Sequence, residues 1–230
     1  GLWYPTEVAL EAAEQARSSL DQVGVPVAPR AQWPSGLEQL RGVDADGNAL
    51  KGKIPPEERL TEGRVVARLT DLGYGNALRA LFAPGPAGET VDGEVPAELA
   101  TACLRVLKEW GWAERPVAVT WVPSLSRPQL VESLATGISR AGRLELLGPL
   151  DLNPEAEPLN RATNSAFRVR DVWHRFRVPQ AMAQRVTELD GPVLLVDDLV
   201  DSRWTLTVAG RLLRRAGASS VLPFALASVA

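Results

Sequence analysis

The chain has 230 residues, 45% of them apolar and 23% charged, which gives room for one full domain and a smaller attachment. Its formal charge of −3 excludes a strongly basic surface over the whole chain, though not a local basic patch. One cysteine and one histidine exclude an internal disulfide and a Cys/His zinc site within the chain.

The first predicted element is a helix over residues 6 to 20. Thr6 caps it, and Val8, Ala12, Ala16 and Leu20 form a narrow stripe. Residues 21 to 63 hold Pro26, Pro29, Pro34, Pro55 and Pro56 with little periodicity, a connecting region of short extended pieces and turns. This divides the chain into a small N-terminal helical and irregular region, residues 1 to 60, and a domain over 61 to 230. Asp44-Ala45-Asp46-Gly47-Asn48 has the opening of a calcium loop but lacks the later acid, so it reads as a solvated turn. Residues 57 to 72 read as a helix with Val65, Val66, Leu69 and Leu72 on one side. Gly73-Tyr74-Gly75 breaks it, and Asn76 is placed to cap a short helix through Leu78, Leu81 and Phe82. A Pro/Gly-rich acidic loop covers 83 to 93. A helix then starts at Pro96, carries Leu99, Cys103, Val106, Leu107 and Trp110 on one face, and stops at Gly111. Cys103 on that stripe reads as a buried small residue rather than a nucleophile.

Val117 to Val122 is a strand by its β-branched and aromatic character. Ser126 and Gln129 then make a capping box with Pro128 in the first turn, and the helix runs on through Leu130, Leu134 and Ile138. Leu144 to Leu147 is a third strand. Residues 150 to 178 lose periodicity and gather Arg161, Arg168, Arg170, Arg175, Arg177 and His174. An insertion of that length is unusual for a bare structural loop. Its arginines and Trp173 suit a phosphate, a single-stranded nucleic acid, or simply a solvated face. A short helix over 180 to 189 leads to Gly191.

The stretch Gly191 to Ala216 carries the chemistry. Val193 to Val196 is an apolar run of the kind buried on both faces of a sheet, and it ends in Asp197 and Asp198. A polar loop, Leu199 to Trp204, precedes a helix with Leu206, Ala209, Leu212, Leu213 and Ala216 at helical spacing, stopped by Gly217. Helix N-termini beyond the carboxyl ends of strands suit phosphate, and paired carboxylates suit sugar hydroxyls or a divalent cation. Ser220 to Val229 is a last strand, and Pro223 argues for an edge position. Strands alternating with helices imply an α/β fold with a doubly wound, mainly parallel sheet.

Asp197, Asp198, Asp201, Ser202 and Thr205 at this spacing resemble the phosphoribosyl-pyrophosphate (PRPP) signature of the type I phosphoribosyltransferases. One position departs: the family's glycine is Arg203. The resemblance implies that the 5′-phosphate meets the 201–205 loop, that ribose hydroxyls meet Asp197 and Asp198, and that Mg²⁺ comes with the ligand. It makes Asp201 a candidate general base. It puts Arg203 and Trp204 against the ligand and gives pyrophosphate to Ser124, Ser126 and Arg127. Asn164-Ser165-Ala166-Phe167-Arg168-Val169-Arg170-Asp171-Val172-Trp173 is similar to the hood of ComF-like phosphoribosyltransferases, so Arg168 and Arg170 would close over substrate.

Further pieces resemble the C-terminal region of RecQ-family DNA helicases: Trp33-Pro34-Ser35-Gly36, Leu50-Lys51-Gly52-Lys53-Ile54, and Gly63-Arg64 through Gly73-Tyr74-Gly75-Asn76. This implies a helicase core upstream in the same polypeptide, and the opening Gly-Leu-Trp-Tyr-Pro without methionine fits a fragment. No Gly-x-x-x-x-Gly-Lys-Ser/Thr motif occurs, so the motor chemistry would lie outside these residues. Three functions stay open: an accessory module binding PRPP, a nucleotide or DNA with impaired or no transferase catalysis; an active Mg²⁺-dependent transferase; and a protein-contact scaffold. The single cysteine and the lack of any apolar run near the ~20 residues of a membrane span point to the cytoplasm.

Overall fold

The apolar run that begins at Val193 extends further than its sequence pattern indicates. In the computed structural model, which describes residues 24–37, 50–154 and 164–229, it forms the eight-residue strand Val193–Val200. The strands are β1 (Val25–Val27), β2 (Gly63–Arg68), β3 (Ala118–Trp121), β4 (Glu145–Pro149), β5 (Asp151–Leu152), β6 (Phe176–Arg177), β7 (Val193–Val200) and β8 (Val221–Ser228). The helices are α1 (Tyr74–Phe82), α2 (Ala97–Glu109), α3 (Pro128–Gly142), α4 (Ser165–Trp173), α5 (Gln180–Thr187) and α6 (Trp204–Arg215). The helix expected over 6 to 20 and the Asp44–Asn48 turn lie outside the described residues, as does Arg161.

Six strands form one sheet in the order β1-β2-β8-β7-β3-β4, parallel throughout except for the antiparallel β1. β5 and β6 make a separate antiparallel pair. Alternate side chains of the central strands enter two cores. Leu194, Val196, Val119 and Phe224 pack with α1, α2 and α3 on one face. Val193, Leu195, Val65 and Ala225 pack with α5 and α6 on the other. The sheet is therefore doubly wound. From β3 the chain steps through α3 to β4 on one side; from β7 it steps through α6 to β8 on the other. The order reverses between β3 and β7, and the loops leaving these two strands meet at that switch point.

Two expectations fail here for physical reasons. Residues 57 to 72 are not a helix: after a short 3₁₀ turn at Pro56–Glu58, residues 63 to 68 form β2. Val65, Val66 and Ala67 are buried, a run whose spacing fits either element but whose β-branching favours a strand buried on both faces. Gly63 is needed because a Cβ there would lie 2.4 Å from the Pro223 carbonyl oxygen. Nor is β8 an edge strand, since it lies between β2 and β7. Val221 on the β2 side accepts from the Thr61 N–H, and β2 pairing in register starts only at Phe224. The missing N–H of Pro223 thus falls next to Phe224, where the paired register with β2 begins.

A third core lies outside the sheet. Trp33, Leu37, Leu50 and Ile54 pack with Val169 and Val172 of α4 and with Trp204 and Val208 of α6. Cys103 is buried on α2, and burial pushes its thiol up to about 12, which fits a packing role. Among the described residues no helix is long and apolar enough to cross a membrane.

Candidate functional site

Asp197 and Asp198 belong to β7 itself rather than to the loop after it. Both are buried. An Asp197 carboxylate oxygen accepts from the Asp198 N–H at 2.9 Å, and an Asp198 oxygen accepts from the Leu199 N–H at 2.7 Å. Burial pushes the Asp197 carboxyl well above the usual carboxylate range, and the Asp198 charge beside it adds to the rise. Burial also raises Asp198, against the Leu199 N–H and the Arg127 charge, which favour its ionised form.

The loop after β7 is only three residues long, Asp201 to Arg203, before α6 starts at Trp204. Arg203 has φ 69°, ψ −3°, the left-handed conformation that a glycine would take without strain. An arginine there costs about 1 kcal/mol. Among the described residues no side chain caps the first turn of α6, apart from a 3.4 Å approach of the Trp204 N–H to the Ser202 hydroxyl. Beside this end of α6 opens a cavity of about 340 Å³, lined by Asp197, Asp201, Ser202, Arg203 and Thr205, with Arg168, Asp171 and Val172 of α4 opposite. Asp171, Asp197 and Asp201 thus line one space with Arg168, a setting for a ligand that carries both hydroxyls and a phosphate, whereas Asp198 does not line it.

Arg168 and Asp201 form an ion pair across the cavity mouth. The pair is partly exposed, so it contributes little stability, but it engages the carboxylate expected to act as a base. Arg203 turns its guanidinium away to the Ala28 carbonyl, 3.1 Å. Thr205 lines the cavity, and Ser202 does so while its carbonyl accepts from Arg30 Nε at 3.2 Å.

Other sequence-proposed residues lie elsewhere. Trp204 is buried in the third core, stacked on Trp33 at 5.9 Å, and does not line the cavity. The length of the helix, not the loop, claims it: as the first residue of α6 it faces α4 and the N-terminal segment. Arg170 points out of the site, bound to Asp171 at 2.9 Å and lying over the Phe167 ring. Ser124 accepts from the Arg127 N–H at 3.0 Å and lies 3.3 Å from the Ser126 hydroxyl. The expected Ser126–Gln129 capping box does not form. Asp92, from the loop before α2, takes its place: its carboxylate accepts from the N–H groups of Gln129 and Leu130 at 3.0 and 3.1 Å. Arg127 lies over the Phe82 ring, near enough to Asp198 to be felt by it.

Sequence reasoning missed Asp92, Arg30 and Thr207. No local pattern marks them, because each acts on a residue more than 30 positions away. Among the described residues no group of three or more His, Cys, Asp or Glu side chains could hold a metal ion. Two carboxylates that each already accept a backbone N–H do not enclose a cation unaided, so Mg²⁺ fits here only with further oxygens brought by a ligand. No family model matches the chain, and no curated protein matches it.

Proposed function

We propose that this chain is a ligand-binding module with a phosphoribosyltransferase-type pocket, taking PRPP or a related nucleotide-like phosphate, with impaired or no transfer chemistry. One observation carries the reading: the buried Asp197, a left-handed turn and the N-terminus of α6 converge on one cavity at the sheet's switch point. The ligand's phosphate meets the 201–205 backbone and Arg168; its hydroxyls meet Asp197, with Asp198 next to it on β7 but outside the cavity lining. Mg²⁺, where it takes part, arrives with the ligand and is neutralised by the same two carboxylates. Two features speak against turnover. Asp201 is engaged by Arg168, and among the described residues no aromatic ring lines the cavity to hold an accepting base. In this reading the module serves a RecQ-like helicase core upstream in the same polypeptide, in the cytoplasm.

A second reading, single-stranded DNA binding, is favoured by the outer face of α4. Phe167 is 38% exposed there with Arg170 against it, an arrangement on which a base can stack.

Calorimetric titration of PRPP with Mg²⁺ into the wild type and Asp197→Ala tests the first reading. Binding weakened tenfold or more by the substitution supports it. A wild type silent to PRPP that instead binds single-stranded DNA, salt-sensitively and through Arg170, replaces it with the second. Silence in both leaves a scaffold.

A further inference from the structure

The segment Ala28 to Trp33 lies across the start of α6 and is tied to both walls of the cavity. On the loop side the ties are reciprocal. Arg203 donates to the Ala28 carbonyl at 3.1 Å, and Arg30 Nε donates to the Ser202 carbonyl at 3.2 Å. The Thr207 hydroxyl accepts from the Arg30 N–H at 3.1 Å and donates to the Arg203 carbonyl at 2.9 Å. Arg30 also lies over the Trp204 ring, 5.5 Å from its centroid. Burial and the neighbouring Arg203 charge both lower the Arg30 pKa, so the two cations are held together against their own repulsion.

The α4 side meets the same segment through one ring. Trp33 stacks on Trp204 at 5.9 Å with an 11° interplanar angle, and it meets Trp173 edge-on at 5.1 Å. Trp204 begins the helix whose N-terminus faces the cavity; Trp173 ends the helix that carries Arg168, Asp171 and Val172. Arg211 lies over both Trp33 and Trp173, fixed by Glu58 at 2.5 Å. Trp33 is therefore a contact shared by the two walls that bound the cavity.

We propose that Ala28–Trp33 is a positioning strap. Its docking sets the conformation of the 201–203 turn and the place of α4, and thereby the affinity of the cavity for a phosphorylated ligand. The ligand part rests on the function proposed above; the positioning part does not. Linkage makes the effect mutual, so a ligand in the cavity tightens the strap. Arg30, Trp33 and Thr207 are positioning residues, since none of them lines the cavity.

Hydrogen exchange and PRPP–Mg²⁺ titration on the full chain, as wild type, Trp33→Ala and Trp33→Phe, test it. The alanine variant is expected to speed exchange of amides in 165–173 and 201–207 by about tenfold, with β7 and β8 unchanged. It should weaken PRPP binding at least fivefold, and phenylalanine, which keeps a ring between the walls, should recover most of both. Unchanged exchange in 165–173 and 201–207 overturns the proposal. So does an equal rise throughout the sheet, which marks Trp33 as ordinary core. Wild-type PRPP binding that Trp33→Ala leaves intact overturns the affinity claim. A wild type that does not bind PRPP defeats the reading of the site, while the exchange pattern still decides the strap.

Discussion

The two strand-loop-helix units at the switch point are built alike and finished differently. Each has a buried parallel strand, a short loop and an amphipathic helix: β3 with α3, and β7 with α6. At α3 the chain supplies its own anion. The Asp92 carboxylate takes the Gln129 and Leu130 N–H groups, and Ser124 takes the Arg127 N–H. At α6 no carboxylate among the described residues caps the first turn, and the helix end faces a cavity lined by charged side chains. A helix N-terminus is an anion site in either unit; what separates them is whether a distant side chain already fills it. Of the two, the β7–α6 unit is the better candidate for a ligand.

Substitutions can break or sharpen this contrast. The largest effect is expected at Arg211, which holds the β7–α6 unit to its surroundings through Glu58, Trp33 and Trp173. Arg211→Met leaves the half-buried Glu58 carboxylate with only the more distant Arg215, at 3.8 Å. The expected loss is about 3 kcal/mol in denaturant unfolding; no loss would mean the packing around the strap carries itself. Next is Asp92→Ala, which strips the α3 cap. It should cost about 1–2 kcal/mol, with Asp92→Asn recovering part, since an amide oxygen still accepts. A neutral alanine variant would remove the contrast drawn above.

The smallest effect concerns pH. The raised pKa values of Asp197 and Asp198 mean that the folded chain keeps protons which the unfolded chain has released. Their contribution to stability therefore declines as pH rises above the ordinary carboxylate range. Asp197→Asn is expected to match the wild type in mild acid and to exceed it increasingly towards alkaline pH. The gain should be on the order of 1 kcal/mol, about 2–4 °C in Tm for a chain of this size. Thermal melts across pH measure it, and parallel curves for the two proteins would contradict it.

Much of the β7–α6 unit was legible in the sequence. A four-residue apolar run, two acids, a polar loop and a 3.6-residue period predict strand, loop and helix, while nothing in that pattern marks the left-handed backbone of Arg203. The strand nevertheless runs four residues further, through the acids, because pairing to β8 continues to Val200. Trp204 was read as a loop residue because loop and helix share a boundary, and only packing shows which way the first helical side chain turns. Residues 63 to 68 were misread because a short apolar run fits both periods. Their parallel partner lies some 160 positions away, Arg64 opposite Phe224.

By itself the sequence determined the alternation of strands and helices, and hence a doubly wound, mainly parallel sheet. It also determined that two acids follow the apolar run of a buried strand, because periodicity and burial are local consequences of residue order. The tertiary structure alone decided that β8 is interior and that Asp92 closes one helix end. It alone brought Arg168 onto Asp201, and laid Arg30 and Trp33 against the other helix end. Those contacts join residues far apart in the chain, where side-chain packing and hydrogen bonding, not local propensity, fix the partners.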